Sequence, residues 1–183
     1  TVQATIMATG ADPSSSVLFS EIVPGVPGRN NREFIELFNP GFEAIDLDGW
    51  SLWHQTREGQ EPSQLFVWNE RADIPGMGHY LLTHAGEEFD ILPDAVYDSA
   101  MFEGKGGLTL ITADGEVVDR FGWGDAPAEF LAGFPIVDFE KGNSLERLPG
   151  GDLGNGSNSG NNAADFVAKT DADPQNSGSP ITP

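Results

Sequence analysis

Along most of this chain, short runs alternate apolar and polar residues at period two and are cut apart by Gly, Pro, Asn and Asp. Side chains on a strand point to opposite faces in turn, so such runs read as β-strands. The pattern predicts strands over residues 17–23, 33–39, 50–55, 64–68, 79–83, 108–112, 116–122 and 144–148. Many short strands at this spacing predict an all-β sandwich or barrel. The best helical candidate is a turn or two within 126–132, and 89–102 reads as an irregular loop. One hairpin is strongly marked: "LTLITADGEVVDRFGWG" joins two runs rich in β formers at Asp114-Gly115, which predicts a type I′ turn. Residues 1–15 read as an N-terminal arm or edge strand, 16–170 as the domain, and the Pro-, Ser- and Asn-rich 171–183 as a linker or tail.

The stretch "REFIELFNP" sets Glu36 between Phe34 and Phe38 on one strand face. If it pairs with "SVLFSEIV" about Gly28 and Arg29, Phe19 meets Phe38, Glu21 meets Glu36 and Val23 meets Phe34. Two carboxylates opposed on a dry face are destabilising unless one takes a proton or a cation intervenes. Paired carboxylates of this kind suit a general acid and base, or a structural pair neutralised by an arginine.

Composition narrows the partners. A chain of 183 residues with 38% apolar and 10% aromatic content can bury one core. Twenty-nine Asp and Glu against nine Lys and Arg give a formal charge of −20, which repels nucleic-acid phosphates and anionic membranes. A saline habitat would also favour so acidic a surface. Cysteine is absent, so there is no disulfide framework and no thiolate metal site. No apolar run approaches the roughly 18 residues of a membrane span, and the start at Thr1 suits a processed protein or an excised piece.

The ordered series "VLFSEIV", "EFIELFNP", "IDLDGWSL", "GHYLLT", "LTLITADGEVVDRFGWG", "NSLERL" and "DFVAKTDADPQNSG" resembles the lamin tail domain, in the form found in bacterial and archaeal exported proteins. The resemblance implies an immunoglobulin-like β-sandwich without catalytic activity, used as an interaction module in surface or secreted proteins. It places signature positions at Glu21, Glu36, Asn39, Leu47, Gly49, Trp50, Asp119, Ser144, Arg147 and Asn176. It leaves unexplained two long loop insertions, 57–78 and 87–106.

With Arg147 in the same signature, its guanidinium is expected to bridge Glu21 and Glu36 in fork geometry. Asp119 alternates with Val117 and Phe121 and is expected to be a buried, hydrogen-bonded carboxylate; Asn39 and Ser144 complete the structural polar core. His79 and His84 are five apart and would face opposite ways, which disfavours zinc. For calcium, the oxygen-rich candidates are Asp152, Asn155, Asn158 and Asp165, although a flexible loop whose glycines and asparagines only make turns is the favoured reading of that stretch. Trp53, Trp68, Trp123 and Phe134 are candidates for stacking on a sugar or docking a protein, with burial in the core the favoured alternative, and Trp50 is expected in the core. Neither a nucleophile elbow nor a phosphate loop is present. The expectation is a non-catalytic binding or spacer module, extracellular or at the cell surface, within a larger multidomain protein that binds a protein or glycan. The alternatives are a calcium-dependent adhesion or carbohydrate-binding module and, behind it, a hydrolase using Glu21 and Glu36.

Overall fold

Each alternating run becomes a strand in the computed structural model, which describes residues 17–101 and 104–183. The strands are β1 (Leu18–Val23), β2 (Phe34–Phe38), β3 (Ile45–Asp46), β4 (Ser51–Gln55), β5 (Ser63–Val67), β6 (Asp73–Ile74), β7 (His79–His84), β8 (Ala95–Tyr97), β9 (Gly106–Ile111), β10 (Val117–Trp123), β11 (Ser144–Arg147) and β12 (Phe166–Lys169). One short helix, α1 (Asn162–Asp165), precedes β12, and a 3-10 turn at Ala128–Phe130 fills the expected helical position.

Six strands form one sheet in the order β12-β11-β1-β2-β7-β8, and four form a second in the order β10-β9-β4-β5. Phe19, Ile22, Ile35 and Leu37 of the first sheet meet Leu52, Leu108, Phe121 and Trp123 of the second in one buried cluster. The Phe121 ring lies 4.5 Å from Phe166, 5.7 Å from Trp123 and 6.4 Å from Phe19, centre to centre. Each large side chain buried this way contributes about 1.5–3 kcal/mol, and the result is an all-β, immunoglobulin-like sandwich.

Pairing of β1 with β2 keeps the expected Val23–Phe34 partners, but Phe19 meets Leu37 and Leu18 meets Phe38 because a bulge lies between Phe19 and Ile22. The bulge has a clear effect. Phe19 and Ile22 both reach the core although they are three residues apart, so the extra residue keeps Glu21 on the outer face.

Several expectations need correction. Residues 89–102 are not wholly irregular, because Ala95–Tyr97 adds a parallel strand beside β7. The β9–β10 turn is not type I′. Gly115 alone takes a positive φ, 86°, and its N–H bonds the Thr112 carbonyl at 3.0 Å, which is a type I turn closed by a glycine bulge. Residues 171–183, expected as a linker or tail, are fixed to the sandwich: Ser177 donates through its N–H and hydroxyl to Asp94, Asn176 Nδ2 donates to the Leu92 carbonyl, and the Thr182 N–H reaches the Met77 carbonyl. Their prolines, serines and asparagines serve as fixed turns and hydrogen-bonding groups. The expected arm, 1–15, lies outside the described residues.

Candidate functional site

Two buried polar layers lie on opposite faces of the six-stranded sheet, and alternation assigns each residue to its side. On β11, Leu145 points into the core, so Arg147 shares that side while Ser144 and Glu146 point outward. On β2, Ile35 and Leu37 point inward and Glu36 outward. Glu21 stands directly opposite Glu146 in the ladder and therefore shares its face.

The inner layer joins the two sheets. Arg147 donates from Nη2 to Asp119 Oδ2 at 2.7 Å, from Nε to the Phe19 carbonyl at 2.6 Å and from Nη1 to the Ser157 carbonyl at 2.7 Å. Its guanidinium also lies 4.5 Å from the centre of the Phe166 ring. Asp119 accepts the Phe19 N–H at 2.8 Å, so both main-chain groups of Phe19 are held by this one ion pair. The reason is local. β1 pairs with β11 only at Glu21 and Ile22, and next to the bulge Phe19 has no ladder partner on that side. Burial pushes the Asp119 pKa up, opposed by Arg147. Asp165 stands 3.8 Å from Arg147 and accepts the Ser159 and Asn161 N–H groups.

The outer layer holds both candidate carboxylates. Glu36 accepts hydrogen bonds from the Ser20 hydroxyl and from the Gln175 N–H, so one oxygen is capped by β1 and the other by the C-terminal segment. Burial drives its pKa well above the usual carboxylate range, against the lowering effect of those two donors. Glu21 is pushed up to about 7, first by burial and then by the charges of Asp173 and Glu146, with Ser144 nearby opposing the rise. Neither Glu21 Oε1 nor Ser144 Oγ completes a hydrogen bond among the described residues. Glu146 accepts from Lys169 Nζ at 2.8 Å and from the Gly151 N–H at 2.8 Å. Burial works against the Lys169 charge, but Glu146 and Asp173 outweigh it and raise the pKa.

His79 Nε2 lies 3.0 Å from Asn155 Oδ1 and 3.7 Å from Glu36 Oε1. Asn155 Nδ2 donates to the Arg147 carbonyl, which fixes the amide and leaves its oxygen to accept from a protonated His79 Nε2. Burial lowers the His79 pKa, against the raising effect of Asn155, Asp173 and Glu146, which disfavours an ion pair with Glu36.

Arg147 therefore does not bridge Glu21 and Glu36, because the sheet lies between them; its carboxylate partners are Asp119 and, at 3.8 Å, Asp165. The other expected core residues are buried: Asn39 donates to the Glu43, Ile74 and Pro75 carbonyls and accepts the Gly41 N–H, pinning the loop after β2. The four calcium candidates differ in their surroundings. Asn155 and Asp165 are buried and engaged as above, while Asp152 and Asn158 are exposed. Among the described residues, no group of three or more His, Asp or Glu is placed to hold a metal. Trp68 and Trp123 cannot stack on a ligand either. Trp68 packs edge-on against Phe66 and Tyr80, and Trp123 is enclosed between Phe121 and His54. Trp53 is half-buried, with its Nε1 donating to Ser51, and Trp50 is half-buried against the core. Phe134 is 72% exposed.

Sequence reasoning missed Glu146, Lys169, Asp173 and the role of His79. The signal for Glu146 was present in "SLER", where alternation separates it from Arg147.

A model of the lamin tail domain family matches residues 11–125, more than half of the chain. No curated protein matches it. The match ends before β11 and β12, yet these strands complete one edge of the six-stranded sheet, so the folded unit extends beyond the matched residues. The sandwich, its topology and the family match agree: the chain belongs to the lamin tail domain family.

Proposed function

We propose that this lamin tail domain is a non-catalytic interaction or spacer module of an exported prokaryotic protein. One observation carries the reading against an enzyme. The carboxylate best suited to acid–base work, Glu36, is 1% exposed, and both its oxygens are capped, by Ser20 and by Gln175. A general acid or base must come within hydrogen-bond reach of a substrate, and the C-terminal segment occupies that approach. Glu21 is equally buried behind Glu146 and Lys169. Apolar side chains free to meet a partner include Phe42, Leu92, Phe134 and Val137 on the loops, all of them exposed. The exported setting is supported by the resemblance of the motif series to exported family members.

The test is a panel of ester, glycoside and phosphodiester substrates offered to the wild-type chain and to a folded Glu36→Gln variant. The expected result is no turnover by either. Turnover by the wild type that the variant loses would overturn the reading in favour of a hydrolase. A glycan array with and without calcium then separates protein docking from carbohydrate adhesion, and fractionation of producing cells tests export.

A further inference from the structure

Beside the polar layer, the outer face of the six-stranded sheet carries a second apolar cluster in which Val23, Phe34 and Leu81 are buried and Val26, Phe89 and Ile91 pack against them. The C-terminal segment seals Glu36 but does not close over this cluster. A groove of about 550 Å³ remains between residues 89–91 and 170–174, floored by Val23 and Phe34. Its size is that of a site for a few residues of peptide rather than for a lone ion.

The rim of the groove carries charge. Asp90 and Asp171 are exposed, and their carboxylates make no hydrogen bond or ion pair with the described residues, whereas Asp173 is paired with Lys169. Arg32 lies on the wall with its guanidinium 5.0 Å from the centre of the Phe89 ring, and Nη1 donates to the Glu88 carbonyl at 3.4 Å. The other guanidinium donors of Arg32 are left for an acceptor. Phe89 carries Arg32 over its ring and meets Phe34 nearly perpendicularly at 6.0 Å, which leaves little aromatic face for a sugar. The requirements are therefore an apolar side chain for the floor, a cation for two unpaired aspartates and a main-chain carbonyl for Arg32.

We infer that this groove docks a short peptide segment in which Lys or Arg flanks an aliphatic or aromatic side chain. The inference rests on the interaction-module reading and names its partner. The net charge of −20 concentrates such cationic segments around the molecule, and the apolar floor selects among them.

The experiment titrates the isotopically labelled full chain with three pentapeptides, Gly-Lys-Leu-Lys-Gly, Gly-Lys-Ser-Lys-Gly and Gly-Glu-Leu-Glu-Gly, and follows amide shifts by NMR. The expected result is saturable shifts at Val26, Phe34, Phe89 and Ile91 with the first peptide, weaker shifts with the second and none with the third. Replacing Asp90 and Asp171 together by Asn, both exposed and outside the core, should weaken the first peptide roughly three- to ten-fold at low salt, with the difference shrinking as salt is added. No saturable shift with the first peptide, equal binding of the acidic one, or insensitivity to the double variant would overturn the assignment. Saturable shifts confined to the Phe42 or Phe134 loops would also overturn the groove, while leaving the interaction-module reading in place. That reading fails separately, through the substrate panel.

Discussion

Replacing Glu21 by Gln should stabilise the domain at neutral and alkaline pH, and the size of the effect follows from where the carboxyl sits. Burial raises its pKa from 4.5 to about 7. Between those values the unfolded chain has released the proton and the folded chain still holds it, so stability falls as pH rises. The penalty is absent below about pH 4.5 and complete above about pH 7. At 1.36 kcal/mol per unit, the difference amounts to about 3 kcal/mol. Gln keeps the shape of the protonated acid and removes the titration. The assay is urea unfolding of both proteins at a series of pH values from 4 to 8.5, read as the difference between their stabilities. That difference should grow by about 3 kcal/mol across the window, equivalent to a rise of roughly 6–12 °C in Tm for the variant at pH 8. Parallel stability curves would refute the argument, as would a variant less stable than wild type at pH 8, because either would mean that Glu21 is ionised and satisfied in the fold.

Further outcomes follow from the same geometry. Arg147→Met should cost about 3–5 kcal/mol, since it leaves Asp119 buried without its cation; combined with Asp119→Asn, the loss should be well short of additive in a double-mutant cycle by denaturant melts. Gly115→Ala should cost about 1 kcal/mol or more in the same assay, because the glycine holds φ at 86°. Ending the chain at Lys169 should lower Tm and open the outer face to a dye that binds apolar surface, since Gln175, Ser177 and Thr182 would no longer be fixed over it. Millimolar calcium should leave Tm unchanged, because the side-chain oxygens of Asn155 and Asp165 are already engaged within the protein.

The sheets were largely legible because Gly, Pro and Asn bracket the alternating runs, and even the placement of Val23 against Phe34 followed from hairpin symmetry. The rest was hidden for physical reasons. β8 is three residues long and pairs in parallel through a crossover, so neither its length nor a hairpin turn announces it. A bulge at Ser20 and Glu21 changes which face a residue meets without changing composition, so register beyond it could not be read. The C-terminal segment has a linker's composition, but its polar groups find partners in Asp94 and Glu36 that lie far away in sequence. Alternation alone separates Arg147 from the expected carboxylates: Leu145 belongs in a core, Arg147 lies two residues on, and the outward-facing Glu36 is therefore across the sheet from it. Buried charges are paired by proximity in space, and membership in one motif does not put two residues on one face.

The central claim is that the C-terminal segment seals the Glu21 and Glu36 layer and so makes it structural. Amide hydrogen exchange of Gln175 and Ser177 in the full chain tests this most directly, because their N–H groups are the ones bonded to Glu36 and Asp94. Strong protection, lost together with the sheet amides on unfolding, is the result expected. Exchange of both amides at the rate of an unstructured peptide would mean that the layer is open to solvent and to substrate, and would contradict the account.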